Sequence, residues 1–414
     1  MKKVLLVAYH FPPLSGGGVF RTLKFTKYLP EFGYQPHVLT VKNPLHKIKD
    51  AMLLREIPPE AKVYRTFSFE HRILRAPRQL GMNLKWFYIP DENIGWLPCA
   101  AHQGKKIIKK EKIDIVYATA PIFTSFLIGF LLKKKTGKPL VVDYRDPWTQ
   151  NVFAKYPSKF HRKIEDKMET LVLTAADYII VTAEPMKHKL VEKYPFTKGK
   201  IDTITNGFDP EDFKNLTVKK DEEKFVIAYT GSLYGQRTGE KFFMALKELI
   251  EENPELETKI QVLFAGLPSK QAVFLIEKFG LKNVVNLLGY KSHKESLTLM
   301  AKADVLLLIM SLDEVHDAKI GTLTIPGKVF EYLGAKRPIL AIVPPGPAAD
   351  IIRLTKTGVI VPPQDTGVIV QAIFKLFQAW KSGTLKVLES DISEYDRRVL
   401  TQKLVKVFQQ VQVK

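Results

Sequence analysis

The stretch Thr324-Ile325-Pro326-Gly327-Lys328-Val329-Phe330-Glu331-Tyr332 gathers residue types that suit a phosphorylated ligand. A helix opened by Pro-Gly-Lys offers backbone N–H groups, the positive end of its dipole and a cationic side chain at one spot, which suits a phosphate. Glu331 lies three residues beyond Lys328 on the same helical side, and a carboxylate beside a phosphate cradle suits ribose hydroxyls. The same residues also describe an ordinary helix whose Lys328 and Glu331 form a solvated pair. Two glycine-bearing stretches repeat the theme. Gly16, Gly17 and Gly18 follow a first apolar run, and Thr230-Gly231-Ser232-Leu233-Tyr234-Gly235-Gln236-Arg237-Thr238-Gly239 follows another, with Arg237 and Lys241 adding positive charge. Glycines between a strand and a helix let a ligand approach backbone N–H groups, although the spacing at Gly16–Gly18 is not that of a dinucleotide fingerprint. A fourth cluster, Asp143-Tyr144-Arg145-Asp146-Pro147-Trp148, puts charges directly after an apolar run, where Arg145 and Asp146 either serve a site or pair with each other.

These groups need a framework of alternating strands and helices. Runs too apolar for a one-sided sheet predict strands at 3–8, 36–41, 114–118, 140–144, 178–182 and 200–205, then at 225–229, 259–265, 284–290, 304–310, 338–343 and 358–361. Helices are predicted between them, the first over 19–31 and the last over 393–412. The turn signal Asn206-Gly207-Phe208-Asp209-Pro210 and the polar stretch 214–224 mark a boundary near residue 206. The organisation expected is a first domain over 1–206, a second over 207–392, and a final helix over 393–414 that packs back on the first. Residues 43–100 break the alternation and mix Pro with Arg72, Arg75, Arg78, Trp86, Phe87, Tyr88 and Trp96. Such a mixture suits a packed insertion with some interfacial exposure, a membrane interface, or stacking on single-stranded bases.

At 414 residues the chain fits two domains. A hydrophobic content of 45% and a charged content of 26% are those of a globular protein, which excludes a disordered chain. Cys99 is the only cysteine, so no internal disulfide and no cysteine metal site are available, and a reducing cytosol is the expected compartment. The apolar start at residues 4–8 is too short for a signal peptide and is expected as the first strand. The uncharged run 115–132 reaches the length of a membrane span, but its Thr119, Pro121, Thr124 and Ser125 predict a strand, a turn and a buried helix. The formal net charge is +20. Residues 1–200 hold 35 Lys/Arg against 17 Asp/Glu, and the remainder 28 against 26. A one-sided excess favours an anionic partner such as a lipid headgroup surface, a phosphorylated acceptor or nucleic acid.

Taken together, Pro12-Pro13-Leu14-Ser15-Gly16-Gly17-Gly18, the Asp143–Trp148 cluster, Asn206-Gly207-Phe208-Asp209 and Gly327-Lys328-Val329-Phe330-Glu331-Tyr332 through Pro338 resemble, in that order and spacing, the GT-B glycosyltransferases of the family 4 group. The resemblance covers nearly the whole chain. It implies an α/β fold of two facing Rossmann-like domains with parallel sheets, the acceptor held mainly by the first and a UDP- or GDP-sugar by the second. It implies retention of configuration and a ribose role for Glu331. Where many relatives carry His-Asp after the strand at 140–144, this chain has Arg145-Asp146, the expected catalytic pair here. Where the family has a further glutamate, this chain has Leu323, whose task is then omitted or passes to Asp313, Glu314 or Asp317.

Gly231, Ser232, Arg237, Tyr290, Gly327, Lys328 and Glu331 are the expected donor-binding residues, with Gly16, Gly17 and Gly18 as the acceptor or phosphate loop. Tyr290 suits either a base contact or the core. No Asp-x-Asp motif ends a strand, so no metal or other cofactor is expected, and Lys328, Arg237 and helix N-termini are expected to stabilise the leaving diphosphate. The partners expected are a nucleotide-sugar, a lipid-linked or other envelope glycan, and an anionic membrane surface on the cytoplasmic side. The competing functions are a nucleotide-sugar epimerase or hydrolase on the same fold and, in a different class, a basic nucleic-acid-binding protein, which the paired phosphate loops disfavour.

Overall fold

In the computed structural model the apolar runs become two parallel sheets. The structure describes residues 1–45, 48–70, 86, 88–151, 154, 156–214, 216–233, 238–310, 323–386 and 391–413. The chain divides into two compact units, Met1–Asn206 with Arg397–Lys414, and Gly207–Asp396.

In the first unit β1 (Lys2–Val7), β2 (Tyr34–Val41), β3 (Lys62–Thr66), β4 (Ile115–Thr119), β5 (Leu140–Tyr144), β6 (Tyr178–Val181) and β7 (Ile201–Thr203) pair in the order β3-β2-β1-β4-β5-β6-β7. All these pairings are parallel. Val4, Leu5, Leu6 and Val7 are fully buried, as strands covered by helices on both faces require. The order reverses between β1 and β4, so the loops leaving them open a crevice at the carboxyl edge, where sheets of this kind take ligands. In the second unit β8 (Phe225–Thr230), β9 (Ile260–Ala265), β10 (Val285–Gly289), β11 (Val305–Ile309), β12 (Ile339–Ile342) and β13 (Gly358–Val361) pair in the order β10-β9-β8-β11-β12-β13. The reversal there falls between β8 and β11, beside the loop that begins at Gly231.

The structure departs from the sequence expectation in the stretch 43–100. Lys62–Thr66 is a strand, β3, that extends the sheet beyond β2. Its Lys-Val-Tyr-Arg-Thr alternation is that of an edge strand with one face toward water, so it lacks the continuous apolar run of a central strand. Trp96 is fully buried and donates from Nε1 to Thr66 Oγ1 at 2.8 Å, so the described end of this stretch is core. Trp86 is exposed, and Arg72, Arg75, Arg78 and Phe87 lie outside the described residues.

The run 115–132 forms β4 and the helix Thr124–Thr136, and among the described residues no helix is long and apolar enough to cross a membrane. The last helix, Arg397–Val413, belongs to the first unit. There Phe408 packs against Tyr34 and Tyr117, and Arg398 pairs with Glu31 at 2.8 Å. The helix begins later than residue 393 because Ser393–Tyr395 forms a separate 3-10 turn and Asp396 is extended.

Candidate active site

At the carboxyl edge of the second sheet, β8, β9 and β10 each run into a glycine, Gly231, Gly266 and Gly289. Gly231 donates to Ala265 O at 2.7 Å and Gly266 to Gly289 O at 2.8 Å, which joins the three turns into a backbone ledge. The approach is too close for side chains, since a Cβ on Gly266 would lie 2.2 Å from Gly231 O. Ser232 Oγ accepts from Leu267 N at 3.4 Å and ties the ledge together on its outer side.

The helix Gly327–Ala335 begins beside this ledge. Its N-cap, Pro326, makes no side-chain cap hydrogen bond and its first turn holds no acidic residue, so the positive end of the dipole is not offset from within the helix. Its register is fixed by Tyr332. The buried hydroxyl donates to Leu307 O at 3.1 Å and accepts from Thr230 N at 3.1 Å, pinning the helix to β11 and β8. Burial, chiefly, raises the Tyr332 pKa and keeps the hydroxyl a donor. One turn earlier, Lys328 places its Nζ 3.9 Å above the Tyr229 ring. That ammonium lies 2.9 Å from the position a Cβ on Gly231 would take, and Gly231 has φ +114. Cation, glycine backbone and uncapped helix start therefore converge, the arrangement an oxyanion of a diphosphate requires.

Glu331, one turn further along, has its Oε1 3.5 Å from His293 Nε2. Tyr290 follows Gly289 on the ledge and is 43% exposed, so it is no core residue. Leu323, where the resemblance implies a glutamate, is buried. Arg237, Asp313, Glu314 and Asp317 lie outside the described residues. The sequence reading passed over Gly266 and His293. A glycine closing each of three consecutive strands was a readable signal for the first, and the Ser292-to-Glu295 capping box marks the helix that begins at His293.

The first unit uses its glycines differently. Gly16 has φ +113 and precedes the helix Gly17–Tyr28, again without a side-chain cap. Arg145 reaches this loop from the end of β5 and donates to Gly18 O at 2.6 Å and Gly17 O at 2.7 Å. It is thereby a clamp on the loop, and Asp146 beside it has its carboxyl raised by burial, with Arg145 opposing the shift. Beneath lies a network the sequence did not disclose. Arg21 and Asp143 are fully buried and form two hydrogen bonds of 2.8 Å, while Tyr117 and Thr119 donate to the same carboxylate at 2.6 and 2.9 Å. Arg21 also donates to Thr205 O at 2.6 Å and Ile204 O at 2.9 Å. Burial would raise the Asp143 carboxyl, but Arg21 and these donors hold it below the usual range. Near β3, Glu70 is buried and accepts from the Tyr9 and Ser68 hydroxyls; burial pushes its carboxyl up to about 7.

A cavity of about 1780 Å³ in the second unit lies at the opposite, amino edge of the sheet, lined by Lys220, Asp304, Arg337, Phe377 and Trp380 among others. Within it Lys220 pairs with Asp304 at 2.8 Å and Arg337 donates to Ala301 O at 2.8 Å. At the glycine ledge, on the carboxyl edge, a cation, a glycine backbone and a helix start come together.

Two family models match in succession: Glycosyltransferase Family 4 over residues 15–212, and Glycosyl transferases group 1 over residues 211–390. No curated protein matches the chain by sequence. Among solved structures, a glycosyltransferase from Rickettsia africae ESF-5 is similar at 18% identity, covering 99% of this chain and 98% of the other with TM-score 0.67. A putative UDP-N-acetylglucosamine 2-epimerase from Listeria monocytogenes is similar at 14% identity, covering 99% and 96% with TM-score 0.60. The lipopolysaccharide outer core galactosyltransferase WaaB, in its apo form, is similar at 16% identity, covering 99% of each chain with TM-score 0.59. Such identities speak for the fold, and the two successive family matches speak for the lineage. With a glycine loop leaving the first strand of each parallel sheet and a Pro-Gly-Lys helix at the edge of the second, the chain belongs to the GT-B glycosyltransferases of the family 4, group 1 type.

Proposed function

We propose that this glycosyltransferase takes its sugar from a UDP- or GDP-sugar bound at the carboxyl edge of the second unit and transfers it with retention of configuration, without a metal. The observation that carries the reading is the Lys328 ammonium lying over Tyr229 and beside the Gly231 backbone, at the uncapped start of its own helix. Cleaving the sugar–phosphate bond leaves negative charge on the departing diphosphate. A cation and oriented N–H groups already in place stabilise that charge without reorganising, and loss of one such donor costs about 2.7–4 kcal/mol. Gly231, Ser232, Gly327 and Lys328 take the diphosphate, Glu331 the ribose and Tyr290 the base. The departing phosphate oxygen accepts the proton of the acceptor hydroxyl as the new glycosidic bond forms. Arg145 and Asp146 serve the acceptor side, Arg145 through its hold on Gly17 and Gly18.

The acceptor proposed is a lipid-linked or other envelope glycan, at the cytoplasmic face of the membrane. The basic excess of residues 1–200 supports it, as do exposed Phe160 and Trp86 in a unit where Lys159, Arg162 and Lys163 are also exposed. The fold is shared with a galactosyltransferase of the lipopolysaccharide outer core. Mass spectrometry of lipid-linked and surface glycans from cells with and without the gene tests this reading: the expected result is a glycan that loses one sugar, and unchanged glycans contradict it. Flotation with anionic vesicles should show binding at low salt that high salt releases. The likeness to a putative epimerase favours a second reading, in which nucleotide is released without an acceptor; product analysis with donor alone separates the two.

A further inference from the structure

We propose that His293 is a positioning residue for the donor's ribose, holding the Glu331 carboxylate in the orientation that receives the sugar hydroxyls. The inference rests on the reading of this edge as the nucleotide site. The two side chains come from different helices, His293–Lys302 and Gly327–Ala335. Each is fixed by its own device. His293 is the first residue of its helix, immediately after the N-cap Ser292. Ser292 N donates to Glu295 Oε2 at 2.8 Å and Ser292 Oγ accepts from Glu295 N at 3.4 Å, a reciprocal cap that sets the backbone on either side of His293. Glu331 is fixed by its neighbour Tyr332, whose hydroxyl bonds β8 and β11.

Between these anchors His293 Nε2 stands 3.5 Å from Glu331 Oε1. The imidazole is 9% exposed, whereas the carboxylate is 24% exposed. The ring is thus walled in and the carboxylate keeps an accessible side, the asymmetry expected when one group orients and the other receives a ligand. A glutamate on a helix surface samples several rotamers and loses that freedom when it accepts hydroxyls. An imidazole already beside one oxygen removes part of that cost before the ligand arrives. Lys328 lies one turn N-terminal to Glu331 on the same helix, so orientation of the carboxylate also sets the ribose relative to the diphosphate.

Titration calorimetry on the full chain tests the inference, with UDP and GDP and their 2′,3′-dideoxy forms as probes. The wild type should prefer the ribonucleotide, and Glu331→Gln should abolish that preference. His293→Ala and His293→Phe, the latter filling the ring's space without a nitrogen, should each weaken the ribonucleotide roughly three- to tenfold, the effect of one hydrogen bond. Both should leave the dideoxy form unchanged, and His293→Gln, which restores a donor, should recover most of the loss. In turnover the loss should appear in the donor KM, with kcat held. Equal weakening of both nucleotides would mark a general structural role and overturn the inference. So would retained preference in His293→Ala or His293→Phe while Glu331→Gln loses it, and that pattern leaves the donor site standing. Failure of the wild type to bind either ribonucleotide would overturn the donor reading and the inference together.

Discussion

After β1 the chain turns through Gly16, Gly17 and Gly18 into a helix, and after β8 it turns through Gly231 and Ser232 toward another. Both turns place a glycine with strongly positive φ at a carboxyl edge beside the point where strand order reverses. Their surroundings differ. Around the first, Arg145 bonds the glycine carbonyls, and Arg21 is committed to Asp143 and to the carbonyls of Ile204 and Thr205. Around the second, the cation Lys328 lies on an aromatic face beside the glycine backbone, and the helix it opens has no side-chain cap. In one loop the neighbouring cations are committed to carbonyls and a buried carboxylate, and in the other a cation lies beside the glycine backbone. On the function proposed above, the same strand-loop-helix device is braced from within in one unit and takes an anion in the other.

The comparison is broken most forcefully at Asp143. Asp143→Ala leaves Arg21 buried without its carboxylate, and removal of one partner of a buried pair costs about 3–5 kcal/mol. Denaturant unfolding should show that loss, and a small loss would mean the first loop does not depend on the network. Lys328→Ala should lower kcat by about 10²–10³, or about 2.7–4 kcal/mol, while leaving the fold intact by circular dichroism. The glycines give a sharper contrast. Gly16→Ala and Gly231→Ala both force a side chain into a positive-φ conformation, costing about 1–3 kcal/mol of stability. At Gly16 the new Cβ meets nothing within 4 Å, whereas at Gly231 it meets Lys328 Nζ at 2.9 Å. Donor KM should rise in Gly231→Ala and not in Gly16→Ala, which steady-state kinetics at varied donor will show.

The smallest effect expected is a pH dependence in the first unit. Burial holds the Glu70 carboxyl at about 7 against an ordinary 4.5. An acid with a raised folded-state pKa binds more protons folded than unfolded between those values, so stability falls as pH rises through that window. Thermal melts of Glu70→Gln against wild type should diverge in favour of the variant from pH 4.5 to 7 and run parallel above. A constant gap across the range would show that Glu70 is not the group responsible.

Much of this was legible in the sequence where the physics is local. Central strands such as Val4–Val7 announce themselves as unbroken apolar runs, and Lys328 and Glu331 share one helix, so their spacing alone places them together. What was hidden depends on contacts distant in sequence. Arg21 carries no signal in the sequence because its partners, Asp143, Ile204 and Thr205, are supplied by other elements. Arg145 was singled out in the sequence by its place after β5, but its hold on Gly17 and Gly18 arises only once β1 and β5 are brought into one sheet. His293 carries no motif of its own, and only the packing of its helix against the Pro-Gly-Lys helix brings it to Glu331. β3 was missed because an edge strand must carry charge where a central strand carries leucine.

The claim that the two loops have diverged into scaffold and donor site is tested most directly by hydrogen–deuterium exchange with and without saturating UDP or GDP. Protection is expected in peptides covering Thr230–Leu233 and Pro326–Tyr332, with exchange at Gly16–Val19 unchanged. Protection confined to Gly16–Val19, with none at the second loop, would contradict the account.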